Sequence, residues 1–513
     1  MKEKESKQNS GYGLFSLTAM VIGIIIGSGI FVKNSVLFGS NTSVILSMLS
    51  WLVGGIIILA MILSFLEIFS ITEITNEQST IGNWSKHLLG KRTGRILGYY
   101  YTMIYEPLSI VVIAMFGSNE FMKALGMQEF NYLPKLMWTI GITFLFLIML
   151  FTMNAFFTKP GKIFQNIGTG VKIIPLSFVI ILFIGMMIFN FGDLNPIFSP
   201  EYNKGMDKGA GGSINLLLIS IPPVLFSFDG FLSAGSLSKD TNKKTTFRNA
   251  VIIGMIFVAI IYFLFSISTF ALGDVTKSDY GSIQNVIYNK FPNNSFWLAP
   301  IISIIITFSI TTAVSGTIIG TSALMTDLSA TNSIKDVDGN FLKRNKHYST
   351  PNSTISIALL SIFWFEVVNI MNIIFILTLS PNEVVNDVIP ISDFASDIIT
   401  VGAFGSYTIV IFGGVLNRFT NKVEVKKQKG FLVYSIFTMI VMAIVTIYFA
   451  YKIFIPTNGI DSMYILKLVF TFIFIISFIV AVVINIKKCE TLTKEEIEYK
   501  EKMKEEYFFI EQE

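Results

Sequence analysis

Charged residues are scarce in this chain, and so are histidine and cysteine. Only 14% of its 513 residues are charged, whereas 52% are hydrophobic. A water-soluble chain of this size carries more charge against less apolar surface. The composition therefore predicts an all-α integral membrane protein, with the lipid bilayer as its surroundings and no nucleic acid among its partners.

The rare residue types also exclude several kinds of chemistry. A single cysteine, Cys489, excludes a disulfide framework and a cysteine-based metal cluster. Neither His87 nor His347 lies in an apolar stretch, which excludes a histidine relay or zinc site inside the membrane. Without a G-x-x-x-x-G-K-[ST] loop, ATP-driven work is not expected. No metal, cofactor or catalytic motif is predicted, so the chain is not expected to be an enzyme.

Long apolar runs predict twelve membrane spans, since about 20 residues of helix cross a bilayer. The spans lie at 14–38, 43–69, 96–119, 135–157, 162–190, 213–236, 248–272, 297–326, 353–379, 390–417, 431–454 and 463–486. Two intervening stretches predict further helices, an interfacial one within Asn76–Gly94 and one outside the membrane within Asp279–Asn293.

Lysine and arginine predict the orientation of these spans. The basic clusters, such as Lys86 to Arg95 and Arg418 to Lys429, fall on the inner side if the N-terminus is cytoplasmic. The first apolar run is too long for a signal peptide and is expected to stay as a span. Residues 1–13 and 487–513 are therefore predicted to be cytoplasmic termini of a plasma-membrane protein.

The first span contains three consecutive poor helix formers, Gly27-Ser28-Gly29, at its midpoint. A broken membrane helix is tolerated only where the gap is buried in protein or lines a wet cavity. The free N–H groups of Ser28, Gly29 and Ile30 would then hold an anion such as a carboxylate. Alternatively, the small residues only let two helices pack closely; this segment alone does not decide between the two.

The sixth span is interrupted in a similar way, by the stretch Pro222–Phe231. It lies five spans after the first and therefore crosses in the opposite direction. Two interrupted helices in matching places predict an inverted-repeat transporter with its substrate near the midplane. The predicted repeats are 14–190 and 213–417, with 431–486 peripheral. Carbonyls freed near Phe226 to Asp229 would face a cation, so that a zwitterion suits the site.

Three segments resemble the signatures of the amino acid–polyamine–organocation family of permeases: Gly27–Phe31, Phe226–Phe231 and Ser236–Asn242. The resemblance implies a five-plus-five inverted repeat of the LeuT type, with spans eleven and twelve peripheral. It also implies which groups bind an amino acid. The carboxylate would be bound by Gly27, Ser28 and Gly29, and the ammonium by the carbonyls of Ile25, Phe226, Ser227 and Asp229.

The chain departs from the family pattern in two places. Leu232 and Ser233 stand where an acidic residue usually follows the sixth-span motif, so no gating carboxylate is carried over. The acidic-Lys-Asn-Pro run beyond it is reduced to Asp240-Thr241-Asn242-Lys243. Neither departure touches the backbone site.

Lys172 lies about ten residues into the fifth span, where an ammonium is expensive. In proton-coupled members of the family a lysine in this context replaces a sodium ion between the first and eighth spans, and Lys172 resembles it. The eighth span offers hydroxyls from Ser309, Thr311, Thr312, Ser315 and Thr317. Lys172 is therefore the predicted proton-coupling residue. The alternative is a structural lysine, in an ion pair or bonded to a carbonyl.

Five further residues are candidates with less support from the sequence. Phe228 is a candidate gate over the substrate, and Tyr101 and Tyr105 are candidate pocket walls. Glu106 and Glu366 lie inside predicted spans, where they could pair with a lysine or relay protons. For Glu366, a packed structural partner or a position at the edge of its span are equally open alternatives.

Together these features predict a secondary-active amino acid permease that works by alternating access and takes up its substrate with protons. One alternative within transporters is exchange of one amino acid for another. The other is sodium coupling, which is not favoured because the Lys172 ammonium would already fill the sodium site. A nutrient sensor that binds without transporting is a further alternative, although Thr491–Glu513 is only a short charged tail. The side chain of the substrate and the oligomeric state do not follow from the sequence.

Overall fold

A computed structural model describes most of the chain and places it in helices. The described residues are 13–75, 77–127, 131–157, 163–164, 167–168, 170–189, 195–232, 244–277, 279–344, 350–378, 389–456 and 461–500. Every regular element among them is a helix. The predicted signature Ser236–Asn242 lies outside these residues.

The helices follow the order of the predicted spans. They are α1 (Leu14–Ile25), α2 (Gly29–Asn41), α3 (Val44–Thr75), α4 (Ile81–Leu89), α5 (Lys91–Tyr99), a π-helical segment (Tyr100–Tyr105), α6 (Glu106–Ala124), α7 (Tyr132–Phe156), α8 (Ile173–Ile188), α9 (Gly209–Phe228), α10 (Lys244–Leu272), α11 (Ile283–Lys290), α12 (Ser295–Ala330), α13 (Pro351–Thr378), α14 (Pro390–Thr420), α15 (Phe431–Phe454) and α16 (Ser462–Glu490). Short turns at Asn195–Phe198, Pro200–Tyr202 and Lys204–Lys208 precede α9.

Ten described helices are long and apolar enough to cross a membrane, with α5 to α6 taken as one. The chain is therefore a multi-pass membrane protein. The first predicted span is divided between α1 and α2, and the fifth is represented by the 16 residues of α8. Both are shorter than about 20 residues, so the total of twelve spans stays a prediction.

Both helices predicted between the spans are present. Helix α4 begins after Thr80, whose hydroxyl accepts a hydrogen bond from the Asn83 N–H at 3.2 Å. Helix α11 begins after Ser282, whose hydroxyl accepts a hydrogen bond from the Asn285 N–H at 3.1 Å. Such caps satisfy N–H groups that the first turn leaves free, so local sequence decides where these helices start.

The chain divides into two compact units, each drawing on both predicted repeats. The first unit contains Met1–Ser79, Thr169–Ser309 and Phe404–Tyr451, and the second contains Thr80–Gly168, Ile310–Ala403 and Lys452–Glu513. Helices α12 and α14 each contribute residues to both. The predicted domain boundaries at 190, 213 and 417 are not tested by this division.

In the first unit, α10 packs against α1, α3 and α8, while α9 packs against α2 and α3. Aromatic rings fill the space near the end of α9. Phe65 contacts the rings of Phe231 and Tyr407, with centroids 5.9 and 6.1 Å apart, respectively. This packing fixes the end of α9 against α3 and α14.

In the second unit, α6, α7 and α13 pack together, and α16 packs on α5 and α13. The third predicted span is continuous but widens into the π-helical segment just before Pro107. Proline lacks an N–H, and its ring clashes with the carbonyl four residues earlier, here that of Met103. The wider turn relieves this clash and is often found at functional sites.

The sixth span differs from its prediction in one respect. Pro222 and Pro223 lie inside α9, which continues through them and ends at Phe228. The interruption comes after Phe228, where Gly230 has φ +99°. This end of the helix falls within the predicted stretch Pro222–Phe231, but the two prolines at the start of that stretch do not interrupt the helix. An α-helix requires negative φ, so it cannot continue through a residue with positive φ. Glycine adopts positive φ without strain and is therefore common at helix ends.

A buried ion pair joins α3 to α14 in the first unit. The Glu67 carboxylate bonds the Arg418 guanidinium and the Gln428 N–H, and its side chain is only 3% exposed. Glu67→Ala would leave Arg418 without its counter-charge, which should lower the free energy of unfolding by about 3 kcal/mol. Glu73→Ala, which breaks a more exposed pair with Lys426, should cost less than about 1 kcal/mol.

Thermal unfolding of both variants in one detergent measures this difference. Equal losses of stability in Glu67→Ala and Glu73→Ala would show that the burial of an ion pair does not determine its contribution to the free energy of unfolding.

Candidate functional site

The first helix break leaves a short segment between α1 and α2. Helix α1 ends at Ile25, where the Ile26 N–H still bonds the Ile22 carbonyl at 2.9 Å. Helix α2 begins at Gly29, and the Phe31 N–H bonds the Ser28 carbonyl at 3.1 Å. A helix break was predicted at these residues and is confirmed, whereas the joining of α1 and α2 into one membrane span stays a prediction. The start of α2 carries the positive end of its dipole.

The end of α9 meets this break in the first unit. A side chain added at Gly29 would place its Cβ 2.5 Å from the Cα of Ser227 and against the Ser227 hydroxyl. No real Cβ comes that close to another backbone. Glycine at position 29 therefore lets α2 and α9 approach more closely than any other residue would.

Gly27 differs from Gly29. The nearest heavy atom to a Cβ built at Gly27 is the Ile25 carbonyl oxygen, 3.9 Å away. Close helix packing, the alternative considered for this motif, thus explains Gly29 and not Gly27. The space beside Gly27 is available to a ligand approaching the backbone.

A tyrosine from α10 connects the two breaks. The Tyr262 hydroxyl lies 3.1 Å from the Ser227 carbonyl oxygen and 3.4 Å from that of Ile25. The Gly27 backbone N–H lies within hydrogen-bonding reach of the same hydroxyl. Since Tyr262 is fully buried, its hydroxyl holds the end of α1 and the end of α9 in a fixed relation.

Three of the four carbonyl groups predicted to bind an ammonium therefore already have partners inside the protein. Those of Ile25 and Ser227 accept from Tyr262, and that of Phe226 accepts from the Asp229 N–H at 3.3 Å. A carbonyl oxygen has two lone pairs, so each can still accept from a second donor.

The side chain of Asp229 is bonded to the helix end. Its Oδ1 accepts from the Gly230 N–H at 2.8 Å and from the Tyr407 hydroxyl at 3.0 Å. Its Oδ2 is buried and has no hydrogen-bond partner among the described residues. An unpaired buried carboxylate oxygen is costly, and a cationic group beside it would remove that cost.

Phe228 is fully buried between two aromatic residues. Its ring centroid lies 4.9 Å from that of Tyr262 and 6.2 Å from that of Trp51. The Trp51 indole N–H in turn donates to Asn34 at 2.8 Å. In this structure Phe228 therefore packs within the first unit, and its predicted role as a gate stays a prediction.

Lys172 precedes α8, and its side chain is 5% exposed. Its ammonium lies 3.4 Å from the carbonyl oxygen of Gly23, in the last turn of α1. Contact with the first span agrees with the position expected for a coupling lysine, and a carbonyl-bonded structural lysine would show the same contact. Of the eighth-span hydroxyls, Ser309 belongs to the same unit as Lys172, and the others belong to the second unit.

A second buried lysine lies on α2. Lys33 is fully buried, and its ammonium is 5.5 Å from the centroid of the Phe226 ring, within the range of a cation–π interaction. Lys33 sits one turn after Gly29, so it follows the same helix face. Two lysines thus lie in the part of the first unit that contains the breaks.

The second unit holds the other candidates. Tyr101 and Tyr105 are buried in the π-helical segment, with ring centroids 4.5 Å apart. The Glu106 carboxylate is hydrogen-bonded to Thr321 within the same unit. Across the described residues, no group of His, Cys, Asp or Glu has the arrangement of a metal site.

Four residues near the breaks have no role in the sequence-based prediction: Lys33, Trp51, Tyr262 and Tyr407. Tyr262 and Tyr407 lie among apolar residues at helical spacing, which is also the pattern of ordinary core residues. Lys33 lies near the outer end of its predicted span, where a lysine is common. Only the packing shows that these polar groups converge.

A multi-pass membrane protein with a broken helix beside the end of another, and polar groups buried between them, has the features of a transporter. The family comparison agrees. The family model described as "Amino acid permease" matches residues 12–483, and the chain belongs to this family, within the amino acid–polyamine–organocation superfamily. The resemblance found in the sequence is thereby confirmed.

Individual relatives are distant. A Mycoplasma pneumoniae protein of uncharacterized function is 25% identical over 301 residues, 53% of this chain and 52% of that protein. The Bacillus subtilis serine/threonine exchanger SteT is 27% identical over 250 residues, which are 48% of this chain and 52% of that protein. The mouse b(0,+)-type amino acid transporter 1 is 24% identical over 420 residues, 80% and 76%. The chain thus spans about half the length of the first two.

Tyr262→Phe removes the hydroxyl that bonds both breaks. We expect uptake to fall about tenfold, since losing a buried hydrogen bond costs about 1.4 kcal/mol. Tyr280→Phe is the matched control, because its hydroxyl donates to the Phe270 carbonyl at 2.6 Å and does not touch the breaks. Initial rates of both variants in liposomes measure the effect. A rate for Tyr262→Phe equal to that of Tyr280→Phe would contradict a role at the breaks.

Proposed function

We propose that this protein transports amino acids across the plasma membrane by alternating access, with both termini in the cytoplasm. The observation that carries the proposal is the convergence of the two breaks: the start of α2, the end of α9 and the Tyr262 hydroxyl come together within one unit. Membership of the amino acid permease family supports the substrate class.

The proposed substrate site recognises the groups that all amino acids share. The carboxylate would bind the N–H groups of Gly27, Ser28 and Gly29, where the α2 dipole favours an anion. The open space beside Gly27 supports this approach. The ammonium would bind the carbonyls of Ile25, Phe226, Ser227 and Asp229. The unpaired Oδ2 of Asp229 supports a cation at this end of α9.

The inverted repeat is part of the proposal, with its halves at 14–190 and 213–417. If the first span corresponds to the sixth and the second to the seventh, then α1 on α10 and α9 on α3 are equivalent contacts. Both contacts occur in the first unit. This equivalence supports the repeat, since each interrupted helix packs on the second helix of the other half.

Coupling to protons is proposed to depend on Lys172. Its ammonium contacts the Gly23 carbonyl in the last turn of α1, so loss of its proton would weaken a charge-assisted bond to the broken helix. A change at that contact would alter the balance between outward-open and inward-open states. An inward proton gradient would then drive accumulation of the amino acid.

Amino acid exchange is the second candidate function. It is favoured by the similarity to a relative named as a serine/threonine exchanger. An exchanger needs the same backbone site, but each movement across the membrane requires an amino acid on the opposite side. In that case Lys172 would be a structural lysine.

Uptake of a labelled amino acid mixture into liposomes that contain the purified protein tests both candidates. A proton gradient is imposed, and an uncoupler then collapses it. Accumulation that disappears with the gradient supports proton-coupled uptake. Uptake that ignores the gradient but requires an internal amino acid supports exchange. Absence of any uptake or binding would contradict amino acid transport itself.

A further inference from the structure

Glu366 lies near the middle of α13 with its side chain exposed. At about 1.5 Å per residue, it is about 22 Å from the first residue of the helix and about 18 Å from the last. Helix α13 is one of those long enough to cross a membrane. The carboxylate is therefore near the bilayer midplane and not at the edge of a span.

The face of α13 around Glu366 is otherwise apolar. Leu359, Ile362, Phe363 and Ile370 are all more than 40% exposed and follow one side of the helix. Such side chains suit lipid, and Glu366 is the acidic residue among them. Within the described part of the chain, no group forms a hydrogen bond or ion pair with its carboxylate.

An acidic side chain at this depth needs a partner. Ionisable residues inside a membrane almost always face the protein interior or pair with another polar group, because hydrocarbon cannot solvate them. Glu366 does neither among the residues that the structure describes, as both its exposure and its lack of contacts there show. These observations on the described residues agree neither with a packed partner nor with a position at the end of the span, the two alternatives left open by the sequence. They favour a partner from another molecule.

An apolar groove adjoins the same face. It lies between α7 and α13, has a volume of about 220 Å³, and is lined by Phe144, Leu147, Phe151, Ile362 and Phe365 among others. Ile362 is one turn before Glu366 and belongs to both the groove and the exposed face. A helix lying along α13 could place a large apolar side chain in the groove and a charged one at Glu366.

We propose that the α13 face, defined by Glu366, Ile362, Phe363 and the groove beside them, binds the transmembrane helix of another protein that carries a lysine or arginine near its midpoint. Charge complementarity identifies this partner. A buried or lipid-exposed carboxylate is best stabilised by a basic group that forms charge-assisted hydrogen bonds with it.

A second copy of this chain fits less well. Two lysines inside its own predicted spans, Lys33 and Lys172, are both buried. A symmetric dimer through α13 would instead place one Glu366 beside another, and like charges repel. The chemistry of the face therefore favours a different protein.

The test uses the full-length protein in phosphatidylcholine liposomes with synthetic leucine helices as probes. One helix carries a single central lysine, and a second has leucine at that position. Energy transfer between a donor-labelled protein and an acceptor-labelled helix measures association. We expect the lysine helix to associate at least tenfold more tightly than the leucine helix, and Glu366→Gln to remove that difference.

Three further variants control for folding, for specificity and for the groove. Glu366→Lys should no longer associate with the lysine helix and should instead associate with a helix that carries a central glutamate. A misfolded protein could not exchange one partner for the other. Ile440→Gln, a polar change at an exposed residue of α15 in the first unit, should leave binding unchanged, whereas Ala358→Phe, which fills the groove, should weaken it.

Several results would overturn the proposal. Equal association of the lysine and leucine helices, or unchanged association in Glu366→Gln, would show that charge does not matter. No association with the wild-type protein would show that the face binds lipid only. Energy transfer between two labelled copies of the chain that is lost in Glu366→Gln would assign the face to a dimer. None of these results depends on amino acid transport.

Discussion

Gly29→Ala is expected to abolish uptake and to lower the melting temperature of the protein. The added Cβ would lie 2.5 Å from the Cα of Ser227, whereas ordinary contacts between carbon atoms are about 3.5–4.0 Å. Because the obstacle is backbone, no side-chain rotation relieves it. Helices α2 and α9 must separate by about 1 Å, and overpacking of this kind costs about 1–3 kcal/mol.

The separation should affect transport more than stability. A displacement of about 1 Å at a site that positions its ligand can reduce a rate about a hundredfold. The Tyr262 hydroxyl could no longer contact both the Ile25 and Ser227 carbonyls, which now lie 3.4 and 3.1 Å from it. Uptake rates and thermal unfolding of the same preparation measure the two effects.

Gly27→Ala is the matched control, since it makes the same change two residues earlier in the same motif. Its Cβ meets nothing nearer than 3.9 Å, so its melting temperature should equal that of the wild type. Any loss of amino acid affinity would then show that the added methyl group occupies space that the ligand needs. A normal melting temperature and normal uptake for Gly29→Ala would show that the two helices do not need to be this close.

Lys172→Met is expected to abolish accumulation against a gradient and to make uptake independent of pH, while amino acid binding remains. Methionine has a similar length and no charge, so it fills the buried space without the bond to the Gly23 carbonyl. Without a group at position 172 that gains and loses a proton, the proton gradient cannot drive the uptake of the amino acid. Uptake as a function of external pH, together with equilibrium binding, measures both properties.

Lys467→Met provides the control, because it makes the same change at a lysine of α16. The Lys467 ammonium lies 5.6 Å from the centroid of the Phe394 ring, in the second unit, and should have no part in coupling. Unchanged pH dependence in Lys172→Met would identify Lys172 as a structural lysine. A loss of pH dependence in both variants would show that the effect is not specific to the site.

The positions of the helices could be predicted from the sequence because each depends on neighbouring residues. An apolar run sets a membrane span, and a serine or threonine before a short polar helix caps it, as Thr80 and Ser282 do. The first break was predictable for the same reason, since three small residues interrupt an apolar helix. The end of α9 was predicted only to within the stretch Pro222–Phe231, because that stretch contains both two prolines and the glycine after which no helix continues.

The composition and motifs of the sequence by themselves determined a multi-pass membrane protein of the amino acid permease family with a broken first span. The tertiary structure decided the rest: that Gly29 serves close packing while Gly27 borders open space, that Tyr262 joins both breaks, and that Glu366 faces outward. The physical reason is that these roles depend on which side of a helix meets which neighbour. Residues far apart in the chain decide that, and local patterns of hydropathy do not record it.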